Sequence, residues 1–328
     1  MGLRHPFRIL HLNMIRKETV AVIECILAIV IWGLSFIYMK IVLQEISPVS
    51  LIVIRYASGA LLVGVFAAHR GEFSRFRRAD LKIMALLGAT GITLQQFLQV
   101  NGQVTADAGV AAFLACTAPV FTVAMAAVWL RERLAPWQLA GVAMASAGGI
   151  VVAVGGDFSA LMSGQTLRTL PGNSLILLSS IVWALFMILS KRAVENRPAG
   201  LLTTGMFFFG MLCSLPIFVA EEAWRDLPRL SARGWWAMAY VSVLGTAAAY
   251  LLSVHALKYI TATRVAVIQN MEPLSAVAGA ALILNEPVTG TILLGGAAIM
   301  GGVYLAERNA PRPVKSRLEP NLAQTSID

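Results

Sequence analysis

Charge is scarce in this chain: of 328 residues only 13% are Asp, Glu, Lys or Arg, about half the share carried by soluble domains. Hydrophobic residues make up 58%, and the mean hydropathy is +0.74. No soluble fold of this size buries so much apolar side chain, so a water-soluble protein is excluded. Histidine is sparse too. His5, His11, His69 and His255 are scattered, and the chain has no HExxH, no GxSxG and no Gly-rich loop followed by Lys-Ser/Thr, so the common hydrolase and nucleotide-binding signatures are missing. The connections between apolar stretches are too short for the nucleotide-binding domain of a primary pump. Only three cysteines occur, Cys25, Cys116 and Cys213, all in apolar runs. That argues against a disulfide framework and a metal site, and for small packing residues. Neither a catalytic residue nor a cofactor is expected.

Ten apolar stretches are present, over residues 20–42, 49–68, 82–102, 107–130, 137–155, 172–191, 200–220, 235–256, 264–284 and 288–306. Each is near the ~20 residues a helix needs to cross the hydrocarbon. Strands of a membrane barrel would alternate in shorter segments. The expected fold class is an all-α integral membrane protein of ten transmembrane helices. With the N-terminus inside, the inner segments hold 20 Lys and Arg, whereas the outer ones hold Arg168, Arg225, Arg229 and Arg233. The bias puts both termini in the cytoplasm of a multi-pass inner-membrane protein. It also accounts for the net charge of +9 without a nucleic-acid partner.

The chain repeats itself. Shifted by 154 positions, Pro119 falls on Pro273, Val123 on Val277, Leu130 on Leu284 and Glu132 on Glu286. The register extends to Gly141/Gly295 and Gly148/Gly302, and back to Gly91/Gly245 and Met84/Met238. At a slightly different offset, Trp32 to Phe36 with Lys40 echo Trp183 to Met187 with Lys191. Five spans per copy is odd, so the second copy enters the membrane upside down. Such inverted repeats frame a midplane substrate site in many secondary transporters. The division expected is a cytoplasmic tail over 1–19, a first repeat over 20–155, a periplasmic linker over 156–171, a second repeat over 172–307 and a disordered cytoplasmic tail over 308–328. The N-terminal stretch lacks an uninterrupted apolar core followed by a cleavage site, so no cleaved signal peptide is expected. Met14 is a candidate alternative start, to be checked by N-terminal sequencing.

Ionisable groups deep in a bilayer are costly and therefore functional candidates. Glu272 lies near mid-depth, where its repeat partner is the neutral Ala118. It is the candidate for coupling to protons, with a structural ion pair to Arg55, or a pair with some other partner, as the alternative. Arg55, Gln95, Gln99, Gln269 and Asn270 add polar groups. Gln95 and Gln99 share a helix face, and Gln96, Gln99 and Gln103 form a second. Trp32, Ser35, Trp183 and Tyr250 sit too deep for an interfacial belt and are candidates to wall a substrate cavity. Pro119 and Pro273 are read as mid-span kinks or hinges. Glu132 and Glu286 are read as structural, Glu24 and Lys40 as snorkelling near span ends, and His255 as interfacial. The partners expected are a small-molecule substrate, the lipid bilayer and protons.

Together these residues resemble the EamA-type ten-helix members of the drug/metabolite transporter superfamily. The resemblance rests on Trp32-Gly-Leu-Ser-Phe36 with Lys40, Arg55-Tyr56, Ala118-Pro119-Val120-Phe121 and Leu130-Arg131-Glu132 in the first half. In the second half it rests on Trp183, Tyr250, Ala262-Thr263-Arg264, Glu272-Pro273 and Asn285-Glu286-Pro287. It covers roughly residues 20–307 and implies two inverted halves that export small metabolites, amino acids or drugs. The Gly-Glu usual in that family after the fourth span is Arg131-Glu132 here, and Asn285-Glu286 after the ninth. A membrane-embedded enzyme or a channel with a polar cavity remains as the alternative from another class.

Overall fold

The computed structural model describes residues 5–105, 114–154, 166–284 and 289–308. Most of the expected linker, the start of the fourth span, Glu286 with Pro287 and the tail beyond Arg308 lie outside those residues. Within them the regular structure is helical throughout. In the first half, α1 spans His5–Leu43, α2 Pro48–His69, α3 Asp80–Leu87, α4 Gln95–Thr105, α5 Ala118–Trp129 and α6 Pro136–Val154. In the second, α7 spans Thr166–Val194, α8 Ala199–Ala220, α9 Ala232–Tyr240, α10 Ala249–Tyr259, α11 Ala262–Gln269, α12 Glu272–Leu284 and α13 Gly290–Arg308.

Among the described residues, six helical stretches are long and apolar enough to cross a membrane; Ala118–Trp129, Pro136–Val152 and Gly290–Ala306 are apolar but shorter. Helix α1 starts within the expected tail, and α7 starts within the expected linker. Hydropathy marks where a helix is apolar, whereas backbone hydrogen bonding continues past that limit. The ninth stretch is not one helix: it breaks at Asn270 and Met271 between α11 and α12. Pro119 and Pro273 accordingly do not kink a continuous helix. Each stands in the first turn of a restarted one, where a missing backbone donor costs nothing.

Local chemistry sets the starts of several helices. Ser47 accepts from the Ser50 N–H at 3.3 Å, with Pro48 opening α2. Ser231 accepts from the Gly234 N–H at 3.0 Å, and Thr261 from the Arg264 N–H at 3.2 Å. These side chains satisfy donors that a helix N-terminus leaves free. Two helices carry a π-helical insert, Gly88–Leu94 between α3 and α4 and Val241–Ala248 between α9 and α10. The wider turn re-aims whatever follows it, here Gln95 and Tyr250.

Helices α6 and α13 pack through crossed glycines. A Cβ on Gly148 would lie 2.6 Å from the Gly295 carbonyl, and one on Gly302 would lie 2.6 Å from the Gly141 carbonyl. Only glycine allows backbones this close. Acids tie the two halves together at both ends. Asp226 accepts from the Ser47 N–H at 2.9 Å and the Ser50 hydroxyl at 2.8 Å. Desolvation raises the Asp226 carboxyl, but these donors and Arg229 outweigh it and hold it below its ordinary range. At the arginine-rich end, Glu72 accepts from the Leu201 N–H at 2.9 Å, and Arg197 pairs with Asp80 at 2.7 Å. The largest buried cluster lies between, with Trp32, Tyr56, Phe186, Phe207 and Tyr250 drawn from both halves.

Candidate functional site: a charged and aromatic central cavity

A cavity of ≈ 620 Å³ opens between the two halves, and the cavity candidates Trp32, Ser35, Arg55, Gln95, Gln99, Trp183, Tyr250, Gln269 and Asn270, the coupling candidate Glu272 and the prolines Pro119 and Pro273 all line it. Its base is aromatic. Trp32 and Trp183 meet edge to face with ring centroids 5.7 Å apart; Tyr250 stands 5.0 Å from Trp32 and 6.3 Å from Trp183. Phe186 and Phe207 back these rings. Edge-to-face packing fixes each plane. Trp32 is anchored further by its indole N–H, which donates to the Gly245 carbonyl at 2.9 Å. Tyr56 closes the layer from behind, its hydroxyl 3.4 Å from that of Tyr250.

The polar groups divide into two walls. On one stands Arg55, eight residues into α2 and 4% exposed. Its Nε donates to the Thr246 hydroxyl at 3.0 Å, and its guanidinium lies 4.9 Å from the Tyr56 ring centroid. Thr246 is placed by the π insert, its hydroxyl donating five residues back to the Val241 carbonyl at 2.9 Å. No ion pair joins Arg55 to an acid among the described residues. The Arg55–Glu272 pair offered as a structural alternative is therefore absent.

The other wall is the break between α11 and α12. The Asn270 amide donates to the Ala266 and Val267 carbonyls, both at 3.2 Å, and ends α11. Glu272 opens α12, where the helix dipole favours an anion. Beside it, the buried Gln269 Oε1 has no hydrogen-bond partner. Buried acceptors are seldom left so, and this one lines the cavity. Two acceptors thus face the space from this side.

Gln95, Gln96 and Gln99 of α4 form a hydrogen-bonded chain, while the side chain of Gln103 lies outside the described residues. Gln96 donates to Gln95 at 2.7 Å, and Gln95 donates to Gln99 at 3.0 Å. Ser35 turns its hydroxyl back to the Ile31 carbonyl at 2.7 Å. Sequence reasoning missed Met39, Ser179 and Ser180 as lining residues, and read Cys116, which also lines the cavity, as packing. Small and apolar residues carry no signal for such a place; only the repeat, which sets Cys116 beside Pro119 as Asn270 stands beside Pro273, pointed that way. No cluster of metal-ligating side chains occurs among the described residues.

Most lining residues lie in one half of their helices. Trp32 to Met39 are near the end of α1, Gln95 to Gln99 follow the π insert, and Val152 is near the end of α6. At the opposite, arginine-rich end the bundle is sealed. Lys191, 9% exposed, donates to the Leu257 and Ile260 carbonyls at 2.6 and 2.9 Å. Glu132 accepts from the N–H groups of Ala262 and Thr263 at 2.9 and 3.2 Å and from the Thr263 hydroxyl at 2.6 Å. His255 Nδ1 lies 2.7 Å from Glu24.

Two segments, residues 19–154 and 170–307, match the model of the EamA-like transporter family. A probable amino-acid metabolite efflux pump of Salmonella typhimurium is 26% identical over 291 residues, covering 85% of this chain and 92% of that one. An uncharacterized transporter of Archaeoglobus fulgidus is 28% identical over 285 residues, covering 85% and 94%. A probable terminal-alkyne amino-acid exporter of Streptantibioticus cattleyicolor is 36% identical over 140 residues, 43% of this chain and 47% of that one. A solved crystal structure superposes with a TM-score of 0.76 over 88% of this chain and 97% of that one, at 18% identity; the likeness is one of fold.

Proposed function

Since the chain belongs to the EamA-like transporter family, and is thus a multi-pass membrane transporter, we propose that it is a secondary active exporter of small zwitterionic metabolites such as amino acids. The observation that carries this is the charge layout of the cavity. Arg55 on one wall and Glu272 with the unpartnered Gln269 acceptor on the other are not paired to each other. A ligand with a carboxylate and an ammonium satisfies both walls at once. The aromatic base and Met39 receive an apolar side chain. The names of the relatives in Salmonella and Streptantibioticus, both tied to amino acids, support the same class.

Ten spans in two inverted halves, with alternating access between them, complete the reading. Crossed contacts support it. Under the 154-residue shift, Gly141 against Gly302 becomes Gly295 against Gly148, and the two π inserts superimpose. The cavity of this structure then faces the periplasm, with both termini in the cytoplasm of the inner membrane. Glu272 binds either the substrate ammonium or a proton. A proton arriving from outside displaces the substrate and rides inward on the return, which couples export to the proton gradient.

Proteoliposomes loaded with a labelled amino-acid mixture test this. Wild type is expected to exchange label saturably and to accumulate it against a gradient when the pH difference is imposed. Glu272→Gln is expected to abolish the response to the pH difference and to weaken substrate binding by about thirtyfold or more, as for a buried charge stripped of its partner. Unchanged pH response in that variant would sink the coupling role.

A further inference from the structure

A second cavity of ≈ 520 Å³ lies at the arginine-rich end, away from the central site, between α1, α2, α8 and α10 and the turn after α2. Arg70, Arg75 and Lys258 line it. Lys17 adjoins it, 6.0 Å from the ring centroid of the lining Tyr259. Two acids, Glu24 and Glu72, also line it together with His255, and each acid has a partner of its own. Glu72 accepts from the Leu201 N–H, and Glu24 holds His255. Neither forms an ion pair with Arg70, Arg75 or Lys258. The cavity therefore gathers three cations against two acids, and none of the three cations is held in an ion pair within it.

Its setting names the ligand. Leu62 and Phe66 on α2 and Arg70, which caps it in helical conformation, follow one another at intervals of four, so they share one face. Leu62 and Phe66 are exposed, as is Val65. An exposed apolar strip on α2 thus leads up to the cationic cavity, which Leu251 and Leu252 also line. Acyl chains fit the strip, and a phosphate fits the cations above it. Basic pockets between helices at the positively charged end of a membrane protein recognise such headgroups. We propose that this cavity binds the phosphate of an anionic phospholipid headgroup.

Native mass spectrometry of the purified full-length protein, released from detergent with phosphatidylglycerol or phosphatidylcholine added, tests it. Wild type is expected to retain phosphatidylglycerol over phosphatidylcholine. Arg75→Gln with Lys258→Gln is expected to lose affinity about 25-fold, some fivefold per cation. Arg78→Gln with Lys82→Gln, in the same basic segment but outside the cavity, is expected to retain wild-type binding. Arg75→Lys, which keeps the charge, guards against a folding defect and is expected to bind within about threefold of wild type. Equal loss in the Arg78/Lys82 variant would reduce the effect to diffuse charge and overturn the site. So would unchanged retention in the Arg75/Lys258 variant. Thermal stabilisation by millimolar inorganic phosphate alone, matching that by phosphatidylglycerol, would overturn the lipid as the source of the phosphate.

Discussion

At the scale of single residues, Arg131 carries an unusual burden. It follows the end of α5 with φ 54°, a left-handed backbone that side chains seldom adopt. The resemblance drawn from the sequence implies glycine at this place, and the left-handed turn is present here with arginine. The turn delivers Glu132 to the free N–H groups at the start of α11, an acid on the positive end of a helix. The geometry is thus worth a strained residue, whose cost is ~1–2 kcal/mol. Arg131→Gly is expected to raise the midpoint of thermal unfolding in detergent by a few degrees, with transport unchanged. A lower midpoint would mean that the Arg131 side chain, and not its backbone, matters. The central residues were legible for a different reason. Arg55, Glu272 and the glutamines are polar groups at a depth where lipid offers no partner, so hydropathy alone exposes them. Lys191 was not legible: counted among the charges of an inner segment, it is instead buried on two carbonyls.

At the scale of elements, α6 and α13 show how the two copies meet. Their glycines sit two turns apart in each helix and face each other crosswise. Gly148→Leu places a side chain against the Gly295 carbonyl and the Ile299 backbone, where a Cβ alone already lies 2.6 Å from the nearest atom. Overpacking of this kind costs ~1–3 kcal/mol or more. The variant is expected to unfold earlier and to lose transport, and Leu at the exposed Met144 on the same helix to do neither. Both falling equally would remove the glycine seam as the cause. The seven-residue spacing of these glycines, two helical turns, is legible in the sequence as one face of small residues. The π inserts were not, because a π turn and an α turn draw on the same apolar composition and differ only in which carbonyl each N–H reaches. The break before α12 was half readable. Pro273 marked it, but the sequence could not tell a kink inside a helix from the first turn of a new one.

At the scale of the whole molecule, the two copies differ in one latch. Lys40 and Lys191 each follow a lining tryptophan by eight residues, Trp32 and Trp183. Lys191 is buried and holds the C-terminal carbonyls of α10; Lys40 is exposed. In the first half, the counterpart of α10 is α4, since both follow a π insert. In the inverted-repeat reading, exchanging the two halves carries Lys191 to the position of Lys40 and closes the opposite end of the cavity. Lys40 is then expected on the last turn of α4, with Lys191 released. Charge-assisted bonds of this type contribute ~1.5–3 kcal/mol, enough to move the balance between two states tenfold or more. A single cysteine at the lining position 99, introduced as Gln99→Cys with Cys25, Cys116 and Cys213 replaced, reports the balance through its rate of reaction with a membrane-impermeant thiol reagent added outside. Lys191→Gln is expected to slow that labelling severalfold, because the sealed end opens and the outer one closes. Lys40→Gln is expected to leave it as fast as in the parent or faster. The pair of variants shifting the rate in the same direction would mean that the lysines hold the fold together and do not alternate.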